Sequence, residues 1–239
     1  MAVYQTKGII LHRFMHSDNK MIVKVYTESF GMVSYLCFCS SSKKKDKNRF
    51  IPMSLVEITG HKKNGSHFDY FDEMNVLTGL YAGTFDIAKS SVSMFFNEVL
   101  YQLLYDAPED KTLFNFLFEN LFRFFREELS PDFHLRFLVA LIRELGFSPE
   151  DNYSSSSRCF NLEKSCFEHT LFSDKDDPTL GTYMHHLLNE ELFPKDNQCI
   201  IPYLWRNKLL DLILQYYRFH INHFSPIKSH EILKTVLHG

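Results

Sequence analysis

Apolar and polar positions follow a two-residue period through the first 80 residues and a three-to-four-residue period after them. Residues 3–14 and 20–28 are rich in β-branched and aromatic types. Within the second run, Val23, Val25 and Thr27 alternate with Ile22, Lys24 and Tyr26, as on a half-buried strand. Ser29-Phe30-Gly31 follows, with Gly31 able to take the positive φ of a tight hairpin. Met32 to Cys39 resumes a strand pattern, and Ser40 to Asn48 is a polar, basic loop. Strand-like residues return at Pro52 to His61. After an Asn64-Gly65 turn signature, Ser66 to Leu80 makes a fifth strand. Five short strands in about 80 residues predict a small β-barrel.

From residue 85 onward the pattern predicts helices. Val92, Phe95, Phe96, Val99, Leu100, Leu103 and Leu104 form one stripe over 85–105. Asp110 caps a second helix over 111–129, with an apolar face of Leu113, Phe114, Leu117, Phe118, Leu121, Phe124 and Phe125. Ser130-Pro131 reads as N-cap and first residue of a third helix, which closes at Gly146. Residues 147–178 are irregular, and three more helices are predicted over 178–191, 203–223 and 229–237. The expected fold class is α+β: a five-stranded barrel over 1–80, then an all-α helical domain over 81–239 with the irregular insert at 147–178. Most of the 24 Phe fall on helical stripes, where they serve a core.

Composition changes this picture little. With 45% hydrophobic and 23% charged residues, the chain is that of an ordinary folded protein and not a disordered one. The first residues lack the layout of a signal peptide, and no window approaches 18 uncharged apolar residues. A cytoplasmic protein without a membrane span is expected. Five irregularly spaced Cys suit a reducing compartment.

Charge changes it more. The formal net charge of −3 conceals +7 on residues 1–63, where 11 Lys and Arg face 4 Asp and Glu, against −10 on the remainder. The front of the molecule therefore attracts an anion. Arg13, Lys20 and Lys24 flank the first two strands, and Lys43, Lys44, Lys45, Lys47 and Arg49 crowd the following loop. With Phe14, Tyr26, Tyr35 and Phe38 interleaved, these residues match the way single-stranded nucleic acid is held, lysines along phosphates and aromatic faces on bases. They match equally a solubilising loop over an aromatic barrel core. No nucleophile elbow, Walker loop or zinc-protease motif occurs. His185, His186 and Glu190, or His220 and His223, at helical spacing, read as surface residues more readily than as metal ligands.

Several segments, in order along the chain, resemble the bacterial DNA repair RecO family. They are Lys7-Gly8-Ile9-Ile10-Leu11, Ser17-Asp18, Ile22-Val23, Tyr26-Thr27, Phe30-Gly31 and Pro52-Met53-Ser54-Leu55-Val56-Glu57. Arg143-Glu144-Leu145-Gly146-Phe147-Ser148-Pro149, Tyr216-Tyr217-Arg218-Phe219-His220-Ile221 and Ile227-Lys228-Ser229 continue the resemblance to the end. It implies that the barrel is an OB-fold and that the protein is a non-enzymatic recombination mediator without a cofactor, in a bacterial, nucleoid-associated setting. Implied partners are single- and double-stranded DNA, RecR, the acidic C-terminal tail of single-strand DNA-binding protein and, indirectly, RecA. A pocket for that tail needs basic rims, for which Arg123, Arg126, Arg136, Arg143, Arg218 and Lys228 are the candidates. Many members of that family hold zinc with four cysteines. Here residues 147–180 offer only Cys159, Cys166 and His169, so no metal is expected. The competing expectation is a protein-interaction adaptor whose barrel binds protein.

Overall fold

The computed structural model describes residues 3–38, 50–62, 68–80, 86–169, 177–194 and 201–238. It divides into two compact units, one of residues 1–127 with 227–236, the other of 128–226 with 237–239. The change from strands to helices lies after Thr78, but the first two helices and the last belong with the strands.

The first unit begins with β1 (Val3–Ser17), β2 (Lys20–Thr27), β3 (Gly31–Phe38), β4 (Leu55–Lys62) and β5 (Asp69–Thr78). They form a closed barrel in the order β1-β2-β3-β5-β4. The 15 residues of β1 serve two neighbours: Val3 to Ile9 pair with β4, and Gly8 onward pairs with β2. Between Ile10, opposite Val25, and His12, opposite Lys24, Leu11 is an extra residue, a β-bulge. The bulge resets the alternation. Ile10 points into the core with Met21, Val23 and Val25, whereas His12 and Phe14 lie on the outer face.

Pro52-Met53-Ser54, expected to begin a strand, is instead a turn. Met53 takes φ 69°, and the chain pairs with β1 through Ile10 N–H to the Ser54 carbonyl at 2.9 Å. Gly31 has φ 65°, and a Cβ there would lie 2.3 Å from the Ala107 carbonyl oxygen. Only glycine allows the β2–β3 turn to press against the loop at 107–108.

The seam between β3 and β5 is parallel and short, with one registered pair, Tyr35 opposite Asp69. A polar cluster closes it. The Tyr4 hydroxyl donates to Asp69 Oδ2 at 2.7 Å and lies 3.1 Å from the buried Tyr35 hydroxyl. Burial, the hydrogen bonds and the Asp69 charge hold the Tyr4 phenol well above its usual range.

Helix α1 (Ile87–Leu103) is capped by Asp86, which accepts from Lys89 N–H at 3.0 Å, and α2 (Lys111–Arg126) by Asp110, which accepts from Leu113 N–H at 3.0 Å. Helix α2 buries Leu113, Phe114, Leu117, Leu121 and Phe124. Phe114 meets Tyr26 of the barrel at 5.9 Å, and burial together with Asp110 pushes the Tyr26 hydroxyl up to about 12. The last helix, here α6 (Ser229–His238), is capped from a distance. The Glu98 carboxylate of α1 accepts from the backbone N–H of Lys228 and Ser229 at 2.8 Å each and from the Ser229 hydroxyl at 2.6 Å. Burial alone would raise the Glu98 carboxyl, but the Ser229 hydroxyl and the two amides outweigh it and hold the carboxyl below its ordinary value.

The second unit contains α3 (Phe133–Glu144), α4 (Pro178–Asn189) and α5 (Tyr203–His220). Helix α3 starts later than Ser130-Pro131 predicts. Those residues form a turn, and the Asp132 carboxylate points inward to Arg136 instead of capping the helix. Its end is as expected, with Gly146 at φ 81°. Helices α3 and α5 pack together, and the buried Tyr217 hydroxyl donates to the Leu138 carbonyl at 2.8 Å. The insert is not wholly irregular: β6 (Cys159–Asn161) and β7 (Cys166–Glu168) form a hairpin.

Tyr4→Phe removes a donor to a half-buried carboxylate at the barrel seam. It is expected to cost about 1–3 kcal/mol, read as a lower urea midpoint at unchanged slope. For Glu98, a depressed carboxyl contributes stability above its unfolded value and loses it as pH falls through the folded one. The wild-type unfolding midpoint should therefore fall as pH drops below about 4.3, and Glu98→Gln should remove that component. Parallel pH profiles for the two proteins would show that the carboxylate is not the cap.

Candidate nucleic-acid interface

The registers fix the outer face of β1–β2–β3. Opposite residues share a face, so His12 and Phe14 of β1 lie beside Lys24 and Ile22 of β2, and these beside Ser34 and Leu36 of β3. Lys20 lies opposite Phe38 at one end. Lys20 and Lys24 are thus on one face, as the alternation predicts. Arg13 is not with them. The bulge at Leu11 sets Arg13 opposite Val23, a core residue, and turns it to the inner side. Lys43, Lys44, Lys45, Lys47 and Arg49 lie outside the described residues.

Two of the four barrel aromatics are accessible. Phe38 is 67% exposed and Phe14 40%, whereas Tyr26 lies under α2 and Tyr35 in the barrel interior, both without exposed surface. The Lys20 ammonium sits 5.7 Å above the Phe38 ring. At the other end of the face, the Lys24 ammonium lies 3.7 Å from the Tyr105 ring centroid and 5.7 Å from that of Tyr101. The His12 ring joins them, 4.9 Å from Tyr101 and 5.7 Å from Phe14. Burial first, and then the Lys24 charge, lower the His12 imidazole, so at neutral pH it is uncharged and stacks as an aromatic ring. Sequence reasoning missed His12, Tyr101 and Tyr105. Tyr101 lies in the last turn of α1 and Tyr105 just past its end, and no sequence signal sets them against β2.

The six basic residues proposed to rim a peptide pocket are divided between the two units. In the first unit, Arg123 forms a two-point bridge with Glu127, Nε to Oε1 at 2.8 Å and Nη2 to Oε2 at 2.9 Å. The Arg126 guanidinium lies 4.2 Å from the Phe122 ring, and Lys228 is exposed at the start of α6. In the second unit, Arg218 is exposed beside the exposed Phe219, and Arg143 donates to the Leu188 carbonyl at 3.0 Å. Arg136 is interior. At 2% exposure it bridges the fully buried Asp132 at 3.2 Å and donates to the Glu191 carbonyl at 2.9 Å, while Asp132 accepts from Ile201 N–H at 3.3 Å. It joins α3 to the segment after α4.

Among the described residues, no group of three or more His, Cys, Asp or Glu side chains is placed to hold a metal ion. The hairpin carrying Cys159 and Cys166 is held by side-chain contacts. Asn161 Oδ1 accepts from the N–H of Glu163 and Lys164, and its amide donates to Glu168. Phe160 and Phe167 meet at 5.3 Å, and Phe167 meets Tyr153 at 5.4 Å. His185 bonds Asp151 at 2.7 Å beneath the Tyr153 ring, and Glu190 turns to Arg136. His185 and Glu190 are thus engaged by different partners.

A closed barrel in this strand order, continued by helices, defines the class of OB-fold proteins with a helical C-terminal part. Within that class, residues 1–80 match the recombination protein O N-terminal family and residues 84–231 the recombination protein O C-terminal family, and the chain belongs to this family. It is similar to the DNA repair protein RecO of Azobacteroides pseudotrichonymphae, with 32% identity over 98% of this chain and 99% of the relative. The proteins of the same name from Flavobacterium psychrophilum and Phocaeicola vulgatus are 27% and 28% identical, each over 97% of this chain and 98% of the relative.

Arg136→Ala would strand Asp132 as a buried charge and is expected to cost about 3–5 kcal/mol. Arg123→Ala, which removes an exposed pair, should cost about 1 kcal/mol or less. Equal losses in urea unfolding would contradict this division between interior and surface roles.

Proposed function

We propose that this protein acts in DNA repair as a recombination mediator. It binds single- and double-stranded DNA, anneals complementary strands and, with RecR, helps RecA load onto strands coated by single-strand DNA-binding protein. Family membership and the shared name of the curated relatives support the DNA repair role. The observation that carries the DNA-binding part is the outer face of β1–β3. There an exposed Phe38 ring under the Lys20 ammonium offers a base a stacking surface beside a phosphate-attracting charge. Such a site reads no base edge, which suits a protein that must act on any strand. The excess of basic residues over 1–63 supplies long-range attraction. The helical part serves protein contacts, including the acidic tail of single-strand DNA-binding protein. Of the residues expected at its rim, exposed Arg218 beside Phe219 keeps the required pairing of charge and apolar surface.

Fluorescence anisotropy with a labelled oligothymidylate tests the reading. Affinity should fall with salt by about 0.7 log units per log unit of salt for each phosphate neutralised. Replacing Lys43, Lys44, Lys45 and Lys47 together by Ala should flatten that slope, and Phe38→Ala should weaken binding at every salt concentration. No annealing of complementary strands, with or without single-strand DNA-binding protein, would sink the mediator reading and leave a barrel that binds protein.

A further inference from the structure

The accessible aromatics of the first unit are arranged as a repeated pairing. At one end of the outer face of β2, the Lys20 ammonium stands 5.7 Å over the Phe38 ring, and at the other the Lys24 ammonium stands 3.7 Å over that of Tyr105. The two lysines are four positions apart on the strand, about 13 Å at the usual rise. Phe14 is exposed between them on the neighbouring strand, and His12 links it ring to ring with Tyr101. These side chains thus reach from β3, across β2 and β1, to the C-terminal end of α1, with Ile22 and Leu36 buried between the two pairings.

Tyr105 has the properties of a platform rather than of a core residue. It follows the last turn of α1 and is 57% exposed, more than a ring employed only in packing would leave. Its orientation is set in advance by the Lys24 ammonium and by the edge-on contact of Tyr101 at 5.6 Å. A ring already fixed in place loses little side-chain freedom when a flat partner stacks on it. Lys24 adds charge for a phosphate beside that partner. Asp106, Glu109 and Asp110 follow Tyr105 in the chain, so the charge that favours a polyanion here is that of Lys24 beside the ring.

We propose that the single-strand DNA track continues from the barrel onto α1, where Tyr105, backed by Tyr101 and Lys24, stacks a further base. This rests on the DNA-binding reading of the β1–β3 face and names the point to which that face extends. It makes the first helix part of the nucleic-acid surface and sets a minimum length of strand that fills it.

The test uses the full chain with oligothymidylates of increasing length. Tyr105→Ala should weaken binding of the longer oligomers by about tenfold, the loss of one stacked base. Short oligomers that occupy only the Phe38 end should bind the variant as they bind the wild type. Tyr105→Phe, which keeps the ring, should recover most of the loss. An oligomer carrying 5-iododeoxyuridine should crosslink to Tyr105 on irradiation, a readout that a purely structural tyrosine would not give. Matching thermal unfolding of variants and wild type accompanies each comparison. Weaker binding by Phe38→Ala with no effect of Tyr105→Ala and no crosslink overturns the extension and leaves the barrel reading standing. No effect of either substitution overturns both. Equal losses in Tyr105→Ala and Tyr105→Phe overturn stacking, because the hydroxyl would then carry the contact.

Discussion

In a closed barrel every strand has two neighbours, and β1 meets its two with different halves of its length. Its first half follows β4 and its second half follows β2, and the two pairings bend the strand. The bend is taken up at Leu11, where one residue falls out of register. That one-residue step decides the chemistry of the molecule's surface. Before it, Ile10 fills the interior; beyond it, His12 and Phe14 stand on the outer face beside the two lysines of β2. An unbulged β1 would turn these rings to the inner side and set Arg13 on the outer face in their place.

The same demand concentrates polar interactions at the opposite seam. Where β3 and β5 run parallel, the ladder contributes one registered pair, and side chains from three strands supply the rest. Tyr4, Tyr35 and Asp69 are satisfied by one another in a partly buried place, where an unmatched group would be costly. The exposed aromatic face and the polar seam thus share one cause, a sheet obliged to meet itself.

Legibility in the sequence followed the range of the forces involved. All five strands and the helices were readable because alternation and helical stripes are local patterns repeated over many residues. Asp110 as a cap and Gly146 as a terminator were readable for the same reason. Asp132 was not, because its partner Arg136 draws it inward in a buried pair whose surroundings come from the distant residues 190–201. The short hairpin at Cys159 and Cys166 has strands of three residues, too few to show a period. On the candidate site, Lys20, Lys24, Phe14 and Phe38 were found from composition and alternation. Tyr26 and Tyr35 shared that composition and are core, because helix α2 and the barrel interior, which sequence does not display, cover them. The bulge, which sequence does not display, sets Arg13 opposite Val23 rather than beside the two lysines.

The carboxylate of Glu98 meets an amide 130 residues later in the chain. The first unit is therefore discontinuous, and everything from 128 to 226 is a long excursion between its two parts. During synthesis the barrel and its two helices emerge well before α6, so this unit stays unfinished until the residues from 227 onward have been made. Closing so long a loop costs entropy that grows only slowly with its length, and a second unit already folded by then shortens the effective span further. Assembly order, not only final geometry, is written into the return of the last helix.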